Sequence, residues 1–109
     1  MDKRRIILDV DTGHDDAVAI ALAAGLKDKI TIDGLIATAG NQIREKTLNN
    51  TLNLAEALDL DCPVFAGSPM PLLRKQVVAG YIHGKSGFDG PVFPQRKKQE
   101  CKGNGIRWA

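Results

Sequence analysis

The stretch Ile7–Ala21, ILDVDTGHDDAVAIA, decides how the rest of the chain is read. Asp9, Asp11, Asp15 and Asp16 crowd into one short bend between two apolar runs. The run before them, RRIILDV, is short and partly β-branched, which predicts a buried strand ending at the acids. The run after them, DDAVAIALAAG, lacks proline and closes on Gly25, which predicts a helix with a glycine stop. The acids therefore sit where a strand hands over to a helix. In open α/β sheets ligands bind just outside the carboxyl ends of the strands. The free N–H groups of a helix N-terminus stabilise an acid by about 0.3–1 kcal/mol, enough for one or two acids but not for four. Mutual repulsion would raise some of their pKa values unless a cation sat among them. A hard divalent ion, Ca²⁺ or Mg²⁺, is the simplest such cation. The plainer alternative is capping of the helix by Asp15 or Asp16, with the other acids solvated.

Outward from the bend, the pattern repeats. ITIDGLIATAG, Ile30–Gly40, predicts a second strand, with Gly34 as its weak point. Leu48, Leu52, Ala55 and Leu58 recur at three- and four-residue steps and predict one apolar face of a second helix. Asn49, Asn50 and Asn53 of that helix are expected to face solvent. PVFAG, Pro63–Gly67, predicts a third short strand. Strand, helix, strand, helix, strand reads as an α/β fold, the N-terminal part of an open, mostly parallel sheet with flanking helices. From Ser68 onward the regular pattern fades, and His83–Pro94, HGKSGFDGPVFP, reads as a glycine-rich loop.

With 109 residues, 43% hydrophobic and 26% charged, the chain has the composition of one small globular domain. Its apolar runs are too short to span a membrane, and the run behind Lys3, Arg4 and Arg5 is too short for a signal-peptide core. Cys62 and Cys101 form no metal-ligand pattern and read as reduced thiols of a cytoplasmic protein. The net charge of +2 is uneven: residues 95–109 carry five cations and one acid, and the remainder is mildly acidic. That tail lacks the cation repeats of a nucleic-acid-binding arm and reads as a solvated or disordered end.

Several motifs share features with the bend. An EF-hand loop needs a bidentate acid at its twelfth position, where counting from Asp9 gives Ile20. Asp11-Thr12-Gly13 matches the aspartic-protease triplet, but those enzymes set a carboxylate dyad in an all-β body, and here a helix follows. Phosphotransferases of haloacid-dehalogenase type also place D-x-D after a first strand, with Mg²⁺; Gly13 stands where they usually have Thr or Val.

The residues most resemble the inosine-uridine-preferring nucleoside hydrolases. Their signature, D-x-D-[P/T]-[G/A]-x-D-D followed by small apolar residues, is matched at every position by DVDTGHDDAVA, Asp9–Ala19. AGN, Ala39–Asn41, and HGKSGFDGP, His83–Pro91, resemble two further family motifs in the family's order. Within the family the chain looks most like the bacterial pyrimidine-preferring ribonucleoside hydrolases.

The resemblance implies a Rossmann-like fold and hydrolysis of the N-glycosidic bond of a small-molecule ribonucleoside to ribose and free base. It makes Asp11 both a Ca²⁺ ligand and the general base that deprotonates water. Asp16 becomes the second metal-ligand carboxylate, Asp15 the group that binds the ribose hydroxyls, and Asn41 a neighbour of the sugar. His83 lies on a loop at the mouth of the site, and Asp9 serves to orient the ligands. It implies homo-oligomers and gives no role to nucleic acid or a membrane. Family members are much longer, so residues 1–94 are expected to be the N-terminal portion of a truncated hydrolase domain, and residues 95–109 an atypical tail, disordered or read out of frame. The alternatives are a Mg²⁺-dependent phosphotransferase of haloacid-dehalogenase type and a non-catalytic metal-binding fragment.

Overall fold

The computed structural model describes residues 3–79, 82 and 84–105. The chain runs β1 (Arg4–Val10), α1 (His14–Gly25), β2 (Ile30–Ala37), α2 (Arg44–Ala57), β3 (Val64–Ala66) and β4 (Cys101–Asn104). The four strands form one sheet in the order β1-β2-β3-β4, and every pairing is parallel. This is the expected α/β architecture of a parallel sheet with flanking helices.

Gly34 marks an irregularity inside β2. The register of β1 on β2 runs Arg4↔Ile30 to Ile6↔Ile32 and then shifts, so that Ile7 faces Gly34. Asp33 is the extra residue, as in a β-bulge. Its carboxylate accepts the Arg5 guanidinium Nε–H at 3.0 Å across the bulge. That pair is largely exposed on the arginine side and adds little to stability.

The core lies between the sheet and the helices. Val10 packs with Ala17 and Ile20 of α1 and Leu54 of α2. Leu35 and Val64 pack with Leu52 and Ala55 of α2. Leu8 and Leu60 touch both groups, so the two helices share one continuous apolar layer. Burial of α2 follows the predicted face at Leu52 and Ala55, but Thr47, Asn50 and Thr51 are buried as well. Solvent exposure of Asn50 is therefore corrected: the N-terminal half of α2 lies over the acidic bend, and what it buries there is polar. On the far side of α1, Val18 and Leu22 are 70% and 64% exposed. Ile7 of β1 is also exposed. Among the described residues no strand pairs with the outer edge of β1.

Residues 96–98 are joined to α2. The Arg96 guanidinium donates to Asn49 Oδ1 at 2.6 Å and Asn53 Oδ1 at 2.9 Å. The backbone N–H groups of Lys97 and Lys98 donate to Glu56 Oε1 at 2.8 and 3.0 Å. The outer face of α2 thereby guides the chain into β4, which pairs with β3 through Phe65↔Cys101 and Ala66↔Asn104. A four-residue strand of Cys, Lys, Gly and Asn has no alternation or β-branching to betray it, so its place is set by tertiary contacts.

Candidate active site

β1 ends at Val10, α1 begins at His14, and the bend between them carries the acids. The residue capping α1 is Gly13, and no side chain makes a cap hydrogen bond there. Capping by Asp15 or Asp16, the plainer reading of the sequence, is thus absent. Asp16 instead turns back, and its Oδ2 accepts the Asp11 backbone N–H at 3.0 Å. Asp11 in turn accepts the Asn41 backbone N–H on Oδ2 at 2.9 Å. Asp11, Asp16 and Asn41 therefore meet at the carboxyl ends of β1 and β2, where the topology leads one to look for a ligand.

The close approach of the AGN turn to Asp11 needs Gly40. A Cβ built on Gly40 would lie 2.6 Å from Asp11 Oδ2. Any larger residue there would displace the carboxylate or the turn.

The Asp16 carboxyl is pushed up from 3.8 to about 6. Partial burial is the first cause, followed by its hydrogen bond with the Asp11 side chain and the Asp11 charge; Asp15 adds a smaller repulsion. The folded chain thus holds a proton at Asp16 that the unfolded chain releases between about pH 4 and 6. By linkage, Asp16 favours folding at low pH and loses that contribution as pH rises through this window. We expect the urea midpoint of the parent, measured against Asp16→Asn, to fall from pH 4 to pH 6 and then level off. A flat difference across the window would show that the fold does not raise the Asp16 pKa.

The remaining expected residues are placed differently. Asp15 is exposed on the first turn of α1. Asp9 is exposed on β1 opposite Ile36, and no hydrogen bond among the described residues joins it to Asp11 or Asp16. His83 lies outside the described residues. Beyond these, the site contains groups that the sequence did not flag. Thr12 is buried, and its hydroxyl pairs with that of Thr51 at 2.7 Å. His14, in the variable position of the motif, meets the Asp89 carbonyl through Nε2 at 2.7 Å and sets its ring edge-on to Phe88. Asn50 donates to the Thr12 carbonyl at 3.1 Å. The only available signal for Asn50 was its place one helical turn from Thr47 on the face that carries Leu54, and its polarity disguised it.

The fit of a metal can be judged from the donors themselves. Asp11 and Asp16 are oxygen donors in contact, and their charges oppose each other without a basic side chain bridging them among the described ion pairs. The Asp16 pKa is raised first by burial and then by the contact with Asp11 and its charge, and a cation would relieve only the charge. Among the described residues no group of three His, Cys, Asp or Glu side chains converges, so these residues supply two carboxylates of the six to eight oxygens that Ca²⁺ prefers.

Against known proteins, residues 6–107 match the family model of the inosine-uridine preferring nucleoside hydrolases. The chain belongs to that family. The matched span extends on both sides of Pro94. The chain is 46% identical over 108 residues to the pyrimidine-specific ribonucleoside hydrolase RihB of Escherichia coli, covering 99% of this chain and 34% of the relative. In structure it resembles a purine-preferring ribonucleoside hydrolase from Gardnerella vaginalis, with a TM-score of 0.87 and 25% identity over 96% of this chain and 34% of that one. It also resembles an inosine-guanosine nucleoside hydrolase, with a TM-score of 0.76 and 33% identity over 86% of this chain and 29% of that one. The chain thus spans about a third of the length of these nucleoside hydrolases. Membership of the family disfavours the phosphotransferase alternative.

Proposed function

We propose that this chain carries the catalytic bend of a Ca²⁺-assisted ribonucleoside hydrolase that cleaves the N-glycosidic bond to give ribose and free base. The observation that supports this best is the setting of Asp11. Its carboxylate is fixed by the Asn41 N–H while Asp16 holds its own backbone from behind. A general base must be held within hydrogen-bond reach of the water it activates, and a carboxylate with a fixed rotamer can be. In this reading Asp11 takes the proton as water attacks the anomeric carbon. Positive charge builds on the ribose as the C–N bond breaks, and nearby carboxylates stabilise that oxocarbenium-like state. Asp15, exposed beside the site, binds the ribose hydroxyls, and Asn41 lies alongside the sugar. His83 contacts substrate from its loop, and Asp9 acts on the ligand carboxylates from a distance. Asp11 and Asp16 would hold the cation, which when bound offsets their charge and makes nearby water more acidic.

The 46% identity to a hydrolase named pyrimidine-specific makes uridine and cytidine the first substrates to try. Cys62 and Cys101 are both free thiols, which suits a reducing cytoplasm. No helix among the described residues is long and apolar enough to cross a membrane. The exposed Ile7, Val18 and Leu22 favour association with further copies of the chain.

The reading is tested by reducing-sugar release from a panel of nucleosides, with Ca²⁺ and with chelator. The assay is run on this chain and on the chain joined to the remaining part of a RihB-type relative. Ribose release by either form supports the proposal, and release by neither overturns it. Release by the joined form alone shows that the bend acts only when completed by the remaining part of the fold.

Metal binding is checked separately. Asp16→Asn is expected to weaken Ca²⁺ binding to the chain by about tenfold or more, because the amide keeps an oxygen but loses the charge opposing the cation. Asp28→Asn, in the turn after α1, should leave it unchanged. Equal calorimetric affinities for the two variants would remove the metal from the proposal.

A further inference from the structure

Residues 84–87 are held by an unusual device. Four consecutive backbone carbonyls each accept a side-chain donor from residues 41–50. Gln42 Nε2 donates to the Gly84 carbonyl, Lys46 Nζ to Lys85, Asn50 Nδ2 to Ser86 and Asn41 Nδ2 to Gly87, at 3.3, 2.5, 2.8 and 2.7 Å. The path of this segment is therefore dictated by the AGN turn and the first turns of α2.

Two of the four donors do more. The amide nitrogens of Asn41 and Asn50 both also donate to the Thr12 carbonyl, each at 3.1 Å. Thr12 lies between Asp11 and Gly13, so its carbonyl belongs to the acidic bend. Both asparagines are buried, at 6% and 5% exposure. Each amide therefore spends its two protons on two carbonyls, one in the bend and one in the 84–87 segment. Packing leaves little freedom to do otherwise. A Cβ on Gly13 or on Gly87, which has φ +79°, would come within 2.7 Å of Asn41 Nδ2.

We propose that Asn50 is a positioning residue that locks the acidic bend and the 84–87 segment into one unit by bridging the Thr12 and Ser86 carbonyls. It touches neither Asp11 nor Asp16 and acts through the backbone between them. Its consequence for hydrolysis rests on the catalytic reading above, whereas the mechanical coupling does not. Asn41 makes the parallel bridge, but it already stands at the sugar in that reading. Asn50 is the member whose effect can be separated.

The test is site-resolved hydrogen exchange on the 109-residue chain, without substrate or metal. Asn50→Asp keeps the shape and replaces two donors by acceptors facing two carbonyls. The Gly87 and Phe88 amides, bonded to Gly84 O and Ser86 Oγ, should exchange about ten- to hundredfold faster, as should amides of residues 11–13. Amides between β2 and β3 should keep their rates. Below the pKa of the new carboxyl, one donor returns, and protection should partly recover once intrinsic exchange is corrected for. A role confined to the stability of α2 would show no such recovery and would loosen the sheet as well.

Lys46→Met is the comparator. It frees the segment at Lys85 but leaves the Thr12 carbonyl alone, so residues 11–13 should not respond. If Asn50→Asp does not fold, Asn50→Ser, with a single donor, should show the same selective loss in smaller measure. Unchanged protection at 86–88, loosening of bend and sheet together, or an equal response of the bend to Lys46→Met would overturn the proposal. A chain that shows the coupling yet releases no ribose in either form would sink the hydrolase reading alone.

Discussion

Asp11→Asn is expected to lower kcat for uridine by about 10²–10⁴-fold in the catalytically competent form of the chain, with a much smaller change in KM. The asymmetry follows from when the group acts. Water loses its proton only as the glycosidic bond breaks, so the missing base is felt in the transition state and hardly in the bound ground state. The asparagine side chain can still accept the Asn41 N–H that Asp11 accepts at 2.9 Å, so the bend should keep its shape. Under the proposed ribose-binding role, Asp15→Ala should differ in kind, raising KM as well as lowering kcat, since such contacts would precede bond cleavage. Steady-state kinetics of the two variants with uridine decides between these roles. Near-normal kcat for Asp11→Asn would withdraw Asp11 as the base.

The largest loss of stability is expected from Leu35→Ala. Leu35 is fully buried in β2 and packs against Leu52 and Ala55 of α2 and Val64 of β3. Truncation removes apolar contact and leaves a hole that neighbouring strands cannot close, at a cost of about 2–5 kcal/mol. For a chain of this size that is a large part of the whole stability. The Val18→Ala comparison isolates the cause. Val18 is just as apolar but 70% exposed on α1, and its loss should move the denaturation midpoint little. Similar urea midpoints for the two variants would mean that the layer between sheet and helices is not the core.

The parts of this chain legible in its sequence are those whose local chemistry agrees with their tertiary place. RRIILDV and DDAVAIALAAG announce β1 and α1 because burial on one side coincides with the period of each element. The crowding of Asp11 and Asp16 is legible because like charges so close require a reason. Asn50 is not legible, since a polar residue on a helix is ordinarily solvated, and only the fold reveals that two carbonyls wait beneath it. Cys101–Asn104 is invisible for a different reason. Nothing in those four residues favours a strand, and they become one because Glu56, Asn49 and Asn53 deliver them to the edge of β3. Gly34 sits between these cases: its disruption of β2 is readable, but the bulge it permits at Asp33 is not.

The spatial order of the strands, β1-β2-β3-β4, is also their order along the chain. During synthesis, each new strand is therefore added to the outside of a sheet already begun, and none has to wedge between two partners that have met. A nascent chain grows from its N-terminus, so such a sheet can extend vectorially as residues emerge. The acidic bend is translated before α2, while the 84–87 segment that the asparagines join to it arrives only after α2 is complete. Until residues 84–87 emerge, the Asn41 and Asn50 amides have only their Thr12 acceptor. The half of each asparagine bridge that reaches the 84–87 segment is then later than the half that reaches the bend.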